Sequence, residues 1–416
     1  MDNSSSPWWD NYSSMNESVQ SSLESYDSYD FHYQVILPNI TDGECFMIRV
    51  VNATEANMGD FVYTTAQRVI LLAVLPVFMV LGIVDNLAFV YVVVKIPDMN
   101  TITNTYLMNL AVADVTYLTF SVGEKLVKYI FSPVSDDDKV LGLAGCIGVY
   151  IITDLAYFAG LFFVTLVSID RFMAVHYPMS GGKKSRKNTH LKIIWGTWIL
   201  AGILSAAMCP AYAAFEEYCI LWPKREPYDG WSHVAAECVS VSNWSKPVTQ
   251  GLQTLPFFAS FFTNVILYIL IIKGLDQSIE RLRKHGLMKE KDIDVRNQIA
   301  RMLIVNGMVF FFCLAPFELV SLFSMVDSLS NSSTYILSME TELILNHIGR
   351  VLAYFNSAVN PLIYTAMSSR YRQAFKQAFL PQKRRGFFRG VRTSFNHTIS
   401  HTTETHVDET QTESKF

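Results

Sequence analysis

Charged side chains stand inside long apolar stretches of this sequence, where a charge is costly and marks a candidate functional site. They include Asp85, Asp114, Glu124, Asp154, Glu318 and Arg350, and the adjacent pair Asp170 and Arg171 stands at the end of one stretch. Carboxylate and guanidinium groups at low dielectric can pair with one another, hold a cation or bind a charged ligand. These residue types therefore indicate binding and switching rather than bond-breaking chemistry.

The residue patterns that would support catalysis do not occur in the sequence. Of the nine histidines only His347 lies deep inside an apolar stretch, so no histidine cluster is available for metal-assisted hydrolysis. The nucleophile pattern GxSxG and the phosphate-binding pattern GxxxxGK followed by Ser or Thr are both missing. We expect neither an enzyme nor a nucleic-acid-binding protein.

Seven apolar runs divide the chain, and each is long enough to cross a bilayer. A membrane-spanning helix needs about 20 mostly apolar residues, and half of the 416 residues are apolar, with a mean hydropathy of +0.23. The runs cover about residues 67–94, 104–131, 144–169, 190–212, 249–273, 300–326 and 337–367. The predicted fold class is an all-α membrane protein, a seven-transmembrane helix bundle with a short amphipathic eighth helix.

The distribution of charge predicts how the chain is oriented in the membrane. Residues 1–60 contain ten acidic residues and a single basic one, Arg49, whereas Lys and Arg concentrate in 183–192, 273–301 and 370–392. Because positive segments stay on the cytoplasmic side, the N-terminus is predicted to be extracellular and the C-terminus cytoplasmic, as in a multi-pass plasma-membrane protein. The glycosylation sequons predicted to be extracellular are Asn3, Asn11, Asn16, Asn39, Asn52, Asn243 and Asn331.

Four segments follow from this topology. Residues 1–66 form an acidic, glycosylated extracellular tail without predicted order, and residues 67–367 form the seven-transmembrane domain. Residues 368–381 are predicted to form an amphipathic helix on the membrane surface, because Phe375 and Phe379 are spaced i,i+4 among basic residues that suit anionic lipids. Residues 382–416 read as a disordered cytoplasmic tail rich in Ser and Thr. In the loop 213–247, two partly alternating segments around a Pro- and Gly-containing turn favour a β-hairpin.

A series of short motifs occurs in chain order at fixed places in the apolar runs. They are Asn86, LAxAD ending at Asp114, Cys146 with a loop cysteine, Asp170-Arg171-Phe172, Pro178, Pro256, Phe310-x-x-Cys313-x-x-Pro316 and Asn360-Pro361-x-x-Tyr364. With these residues the chain resembles the rhodopsin family (class A) of G-protein-coupled receptors over about residues 67–380, and within it a peptide or neuropeptide receptor.

The resemblance implies a mechanism. Arg171 would pair with Asp170 at rest, and activation would swing the sixth helix outward, bring Tyr364 inward and open a crevice for a heterotrimeric G protein. Met179, next to Pro178, would insert into that G protein. Receptor kinases and an arrestin would act on the Ser- and Thr-rich tail. Four extracellular cysteines allow three pairings, of which we favour Cys146–Cys238 and Cys45–Cys219.

The sequence also departs from the family pattern. Asp85 replaces a small residue, Gly160 stands where a serine usually helps to hold sodium, and Leu314 replaces a tryptophan in the sixth run. In addition, Asn264 replaces a tyrosine, and Arg296 occupies a position that is acidic in some members. No cofactor is expected. Sodium could bind in a polar core of Asp85, Asn86, Asp114, Asn356 and Asn360, but this set of ligands is incomplete.

The outer halves of the runs hold the candidate ligand residues. They are Glu124, Thr153, Asp154, Phe317, Glu318, Ser321, Arg350 and Tyr354. Their charges favour a peptide that carries Arg, Lys or an amidated end, although an internal Glu318–Arg350 ion pair would also account for them. A small amine or a lipid is the alternative ligand, and amine receptors of the family use an aspartate where this chain has Thr153. A seven-span transporter or scaffold is a remote alternative.

Overall fold

A computed structural model describes residues 49–177, 183–285, 290–330 and 336–380 of the chain. Within these ranges seven long helices form one bundle. Five of them are long and apolar enough to cross a membrane by composition alone. The other two, over residues 102–131 and 339–367, are the helices that carry Asp114, Glu124 and Arg350, and their polar residues lower their hydropathy.

The helices agree with the seven predicted runs, and most extend further than predicted. They are α1 (Thr65–Lys95), α2 (Ile102–Tyr117, Leu118–Val122 and Gly123–Phe131), α3 (Gly142–His176), α4 (Lys183–Met208), α5 (Ser245–His285), α6 (Glu290–Ser330) and α7 (Met339–Met367), followed by α8 (Ser369–Phe379). Short π-helical turns interrupt α1 at Ile70–Val74 and α2 at Leu118–Val122. Prolines lie inside α5, α6 and α7 at Pro256, Pro316 and Pro361, where a missing backbone N–H favours a bend.

Helix α3 lies at the centre of the bundle. It packs against α2, α4, α5 and α6, while α7 packs against α1, α2 and α6 and completes the ring. With 35 residues, α3 is about 52 Å long at about 1.5 Å per residue, well beyond the roughly 30 Å of bilayer hydrocarbon. One rigid helix therefore runs from the outer surface of the bundle to the inner surface.

A three-stranded sheet covers the outer end of the bundle. The predicted hairpin is confirmed as β2 (Ala214–Leu221) and β3 (Val234–Val239), which pair antiparallel. A strand from the N-terminal segment, β1 (Val50–Asn52), adds to β2 in parallel. The prediction that residues 1–66 lack order is wrong for their last part, because β1 and the one-turn helix Met58–Phe61 are ordered by pairing with distant loops.

These segments share a hydrophobic core of their own, and we call residues 49–63, 132–140 and 213–241 together the cap. Its core contains Phe61, Val134, Tyr218, Ile220 and Trp222. The indole of Trp222 stacks on Tyr228 with ring centroids 5.7 Å apart and meets Trp231 edge-on. The cap is therefore a packed unit rather than a set of loose loops.

Helix α8 is anchored to the ends of α1 and α2 that lie opposite the cap. The Tyr371 hydroxyl donates to Asn104 Oδ1 at 2.5 Å, and Lys95 Nζ donates to the Ala378 carbonyl at 2.7 Å. The outward-facing Phe379 packs against Tyr91 with ring centroids 5.4 Å apart. Within the segment 368–381, predicted as an amphipathic helix, the 11 residues Ser369–Phe379 are helical, and the location of this helix on the membrane surface stays a prediction.

Candidate functional site

A cavity of about 170 Å³ lies among the outer halves of α2, α3, α5, α6 and α7. Six of the eight predicted ligand residues line it, namely Glu124, Thr153, Asp154, Phe317, Arg350 and Tyr354. Most of the remaining wall is formed by Tyr117, Lys125, Tyr150, Tyr157, Gln253 and Leu314. The sequence did not predict the three tyrosines or Gln253 as ligand residues. These residues lie on the inward faces of long apolar helices, and their polarity at such positions was the signal that could have identified them.

The other two predicted ligand residues lie behind the wall of the cavity. Glu318 is 0% exposed and accepts hydrogen bonds from the Tyr157 hydroxyl at 2.6 Å and from Gln253 Nε2 at 3.3 Å. Its other oxygen, Oε2, is buried without a donor among the described residues. Ser321 bonds to Thr254 at 2.9 Å. Glu318 therefore positions two residues of the wall instead of facing the cavity, and it does not form the alternative ion pair with Arg350.

An ion-pair cluster connects the cavity to the cap. Lys128, only 2% exposed, donates to Glu124 on its own helix and to Asp138 in the loop that follows. Asp138 in turn accepts the backbone N–H of Cys238 at 2.7 Å. The i,i+4 spacing of Glu124 and Lys128 was visible in the sequence, but the contribution of Asp138 depends on how the loop folds.

A second lysine at the rim of the cavity is also paired. Lys125 Nζ lies 3.5 Å from Asp136 Oδ1. The Lys125 ammonium holds the pKa of Asp136 below its ordinary value, with further lowering by Arg350 and Lys128. A depressed carboxyl pKa contributes stability above the ordinary value of about 3.9 and loses it as the pH falls through the lower folded value. Asp136 therefore stays ionised at neutral pH.

The disulfide between Cys146 and Cys238 is formed, with an S–S distance of 1.98 Å, and fixes β3 to the start of α3. Cys219 is disulfide-bonded as well, whereas its predicted partner Cys45 lies outside the described residues. Among the cysteines that the structure describes, Cys209 and Cys313 are free. The sequons Asn52 and Asn243 are exposed on the cap side, and the remaining five, Asn3, Asn11, Asn16, Asn39 and Asn331, fall outside the described residues.

At the opposite end of α3, Asp170 is buried and holds two neighbours. Its Oδ2 atom accepts from Arg171 Nη2 at 3.2 Å and from the Thr103 hydroxyl on α2 at 2.5 Å. Phe172 packs on His176 with ring centroids 4.4 Å apart. Pro178 and Met179 lie outside the described residues. Arg171 is thus attached to its own helix and does not bridge to α6 through any contact of the described side chains.

Tyr364 lies on the α1 side of the bundle, in the half opposite the cap. Its ring meets Phe89 edge-on at 5.2 Å between centroids and lies 5.8 Å from Tyr371. Phe310 lies higher in α6, in contact with Phe311 at 5.4 Å. The inward movement of Tyr364 that the resemblance implies stays a prediction.

The polar core lies midway along the bundle and connects α1, α2 and α7. Asp114 accepts from Asn360 Nδ2 at 2.7 Å, and Asn86 donates to the Ser357 carbonyl at 2.9 Å. Asp85 lies within 3.4 Å of Asn86 Nδ2. Buried oxygens without a donor among the described residues include Oδ1 of Asn86, Asn356 and Asn360. One carboxylate with several free carbonyl oxygens is a donor set that suits a hard cation such as Na⁺.

Two of the residues that depart from the family pattern, Leu314 and Asn264, make contacts that the structure describes. Leu314 lines the cavity floor directly above Phe310 in α6, so an aliphatic side chain stands between cavity and core. Asn264 donates to the Thr165 hydroxyl at 2.9 Å. One turn further along α5, the Tyr268 hydroxyl accepts from Ser168 of α3 at 3.3 Å. The side chain of Arg296 is outside the described residues.

Known proteins resemble this chain over most of its length. The model of the 7 transmembrane receptor (rhodopsin family) matches residues 85–364. The galanin receptor 2a of Danio rerio is 25% identical over 319 residues, 75% of this chain and 78% of the relative. The somatostatin receptor type 5 of Bos taurus is 26% identical over 345 residues, 80% of this chain and 81% of the relative. The allatostatin-A receptor of Bombyx mori is 26% identical over 361 residues, 84% of this chain and 90% of the relative.

The family match begins within α1 and ends within α7, so it includes the polar core and the whole of α3. The relatives are receptors, which agrees with the missing catalytic patterns. The chain therefore belongs to the rhodopsin family of seven-transmembrane receptors and is a membrane receptor rather than an enzyme.

Proposed function

We propose that this receptor binds a peptide at its extracellular face and activates a heterotrimeric G protein at its cytoplasmic face. The observation that carries the proposal is the distribution of polar groups along α3. A charged cavity lies beside Asp154 near its outer end, and the paired Asp170 and Arg171 lie near its inner end. A cavity and a switch on one rigid helix suit a molecule that transmits a binding event across the membrane.

The size of the cavity supports a peptide ligand. Its volume of about 170 Å³ is below the roughly 300–1,000 Å³ of most small-molecule sites. Only the end of a ligand fits there, and the packed cap above offers a surface for the rest. Relatives named as galanin, somatostatin and formyl peptide receptors support the same class of ligand.

A small amine is a weaker candidate. Thr153 lines the cavity at the position that amine receptors of the family occupy with an aspartate. The neighbouring Asp154 accepts a hydrogen bond from the Tyr212 hydroxyl at 3.0 Å, so a tyrosine of the outer loop already binds it. A lipid would be expected to prefer a mouth less charged than one containing Glu124, Lys125 and Arg350.

The activation step we propose starts at the cavity floor. A ligand end that displaces Leu314 would press on Phe310 below it and favour outward movement of α6 around Pro316. Arg171 would then leave Asp170 for the G protein, and Tyr364 would leave Phe89 and turn inward. Pro178 and Met179 would contact the G protein from the loop after α3.

Sodium is proposed as an allosteric ligand of the resting form, held by Asp114 together with oxygens of Asn356 and Asn360. The buried carboxylate and the oxygens without donors support this assignment. Sodium chloride should raise the thermal stability of the purified receptor more than choline chloride does, and Asp114→Asn should remove the difference. Equal stabilisation by both salts would exclude a specific sodium site.

The orientation and the remaining partners follow from the same proposal. The cap and the N-terminus would be extracellular in the plasma membrane, with α8 lying on the cytoplasmic leaflet through Phe379 and contacting its lipids. Receptor kinases would phosphorylate the Ser- and Thr-rich tail and arrestin would bind it. That tail lies outside the described residues.

Nucleotide exchange in membranes tests the proposal. Membranes containing the receptor and purified G proteins should exchange GDP for GTP faster when members of a peptide library are added, and membranes without the receptor should not respond. Stimulation by amine or lipid collections, with no response to any peptide, would overturn the assignment of ligand class.

A further inference from the structure

Two of the four charged residues that line the cavity are neutralised by neighbouring side chains. Glu124 forms an ion pair with the buried ammonium group of Lys128 and accepts a hydrogen bond from the Tyr150 hydroxyl at 3.4 Å. Lys125 is paired with Asp136 across the rim, at 3.5 Å. Neither of these charges needs a ligand for its compensation.

The third charged residue, Asp154, accepts a hydrogen bond from a tyrosine hydroxyl. Tyr212 donates to its Oδ2 atom at 3.0 Å and is itself held by stacking on Tyr150, with ring centroids 5.0 Å apart. Glu318, which the sequence suggested as a partner for cations, is fully buried behind Tyr157 and Gln253. The acidic wall of the cavity is therefore largely engaged within the protein.

Arg350 differs from the other three. Its side chain lines the cavity and is exposed to it, and it makes no hydrogen bond or ion pair within the residues the structure describes. Among the carboxylates, Asp136 and Glu124 have the largest electrostatic effect on it, and both are already paired with lysines. A guanidinium group carries five N–H donors in a planar fork that matches a carboxylate.

The backbone beside Arg350 is in close contact with α6. A Cβ atom on Gly349 would lie only 2.9 Å from the backbone nitrogen of Phe317, the residue that follows Pro316. Only glycine allows α6 and α7 to approach so closely at this level. A force applied to Arg350 would therefore act next to the proline bend about which α6 is proposed to move.

We infer that the ligand inserts a carboxylate into the cavity and that Arg350 binds it. The inference rests on the proposed role of the cavity as the ligand site, and it specifies the chemical group of the ligand that enters the cavity. The carboxylate is either the free C-terminus of a peptide or the side chain of an Asp or Glu near its end. The sequence alone favoured a ligand with a cationic or amidated end, because three acidic residues and one arginine were predicted near the cavity. In the structure these acidic residues, Glu124, Asp154 and Glu318, already bind other side chains of the protein.

A matched pair of small probes tests the inference without knowledge of the natural ligand. N-acetyl-L-leucine carries the carboxylate, and N-acetyl-L-leucinamide has nearly the same shape without the charge. At millimolar concentration the acid should raise the unfolding temperature of the purified receptor more than the amide does. Arg350→Gln should abolish this preference, Arg350→Lys should retain part of it, and Arg225→Gln, which removes an exposed arginine of the cap, should leave it intact.

Equal effects of acid and amide on the wild type, or a preference that survives Arg350→Gln, would overturn the inference. If Arg350→Gln does not fold, the wild-type comparison together with Arg350→Lys still decides. Failure of the proposed function would give a different pattern. The purified receptor would still be stabilised more by the acid than by the amide, but no peptide would stimulate nucleotide exchange.

Active peptides from the library distinguish the two sources of the carboxylate. Amidation of a free C-terminus should lower potency at least about ten-fold if that terminus is bound, because a charge-assisted pair is lost. If an acidic side chain is bound, amidation should have no effect and replacement of Asp or Glu by its amide should cause the same loss. Potency unchanged by both modifications contradicts the inference.

Discussion

Lys128 shows how one buried side chain can hold two parts of the receptor together. Its ammonium group lies between Glu124 on α2 and Asp138 in the loop before α3, and Asp138 also binds the backbone of Cys238. The cluster thus links the wall of the cavity to the hairpin through the same loop that the disulfide secures. Removing the cation would leave two buried carboxylates with neutral hydrogen-bond donors only and no compensating charge.

Lys128→Met should therefore destabilise the receptor by about 3–5 kcal/mol, the cost of leaving a buried pair without one partner. The expected result is a markedly lower unfolding temperature and reduced surface expression. Lys125→Met is the matched control, because its partner Asp136 is largely exposed and such pairs contribute at most about 1 kcal/mol. Equal effects of the two substitutions would contradict the role given to the cluster.

Individual side chains also show what sequence reasoning could and could not predict about the candidate site. Thr153, Asp154 and Arg350 were predictable, because polar residues within apolar runs usually face the interior of a helix bundle. The position of Glu318 was not, since a rotation of about 100° per residue decides whether a side chain faces the cavity or the neighbouring helix. The partners Asp136 and Asp138 depend on a loop whose path no local pattern specifies.

At the scale of elements, the contact between α5 and α6 depends on a glycine. Tyr268 of α5 reaches across to Ser168 of α3, and its hydroxyl passes directly over Gly307 of α6. A Cβ atom on Gly307 would overlap that hydroxyl, which is impossible without movement. If residue 307 carried a Cβ atom, either the Tyr268 side chain or helix α6 would therefore have to shift.

Gly307→Ala should displace α6 from α5 and raise ligand-independent nucleotide exchange several-fold. The double variant Gly307→Ala/Tyr268→Leu should return towards the basal rate, because the shorter side chain removes the clash. A Gly307→Ala receptor that reaches the membrane with wild-type basal exchange would show that α6 does not depend on this contact. The measurement needs only receptor membranes and purified G protein.

The elements themselves were predictable to different degrees. Each of the seven spanning helices was visible as an apolar run, and the β-hairpin was visible in its alternation around the turn at PKREPYDG. The parallel pairing of Val50–Asn52 with β2 was not, because its partner lies about 170 residues away and the segment is too short to show a period. The π-helical turns of α1 and α2 likewise depend on packing rather than local sequence.

At the scale of the whole molecule, the two ends of the receptor are connected by α3 and α6. The cap, the cavity and the Cys146–Cys238 disulfide define one end, and the Asp170–Arg171 pair defines the other. Helix α3 contacts most of the bundle, so it is the fixed reference, whereas α6 contacts α5 and α7 through glycine-dependent surfaces. This division favours movement of α6 relative to α3.

Basal nucleotide exchange by Asp170 and Arg171 variants tests the central claim that their pairing holds the receptor at rest. Asp170→Asn removes the charge that holds the arginine and should raise ligand-independent exchange several-fold. Adding Arg171→Ala to Asp170→Asn should return exchange to the level of membranes without receptor. A double variant that exchanges nucleotide as fast as the single variant, at equal surface expression, would contradict the account.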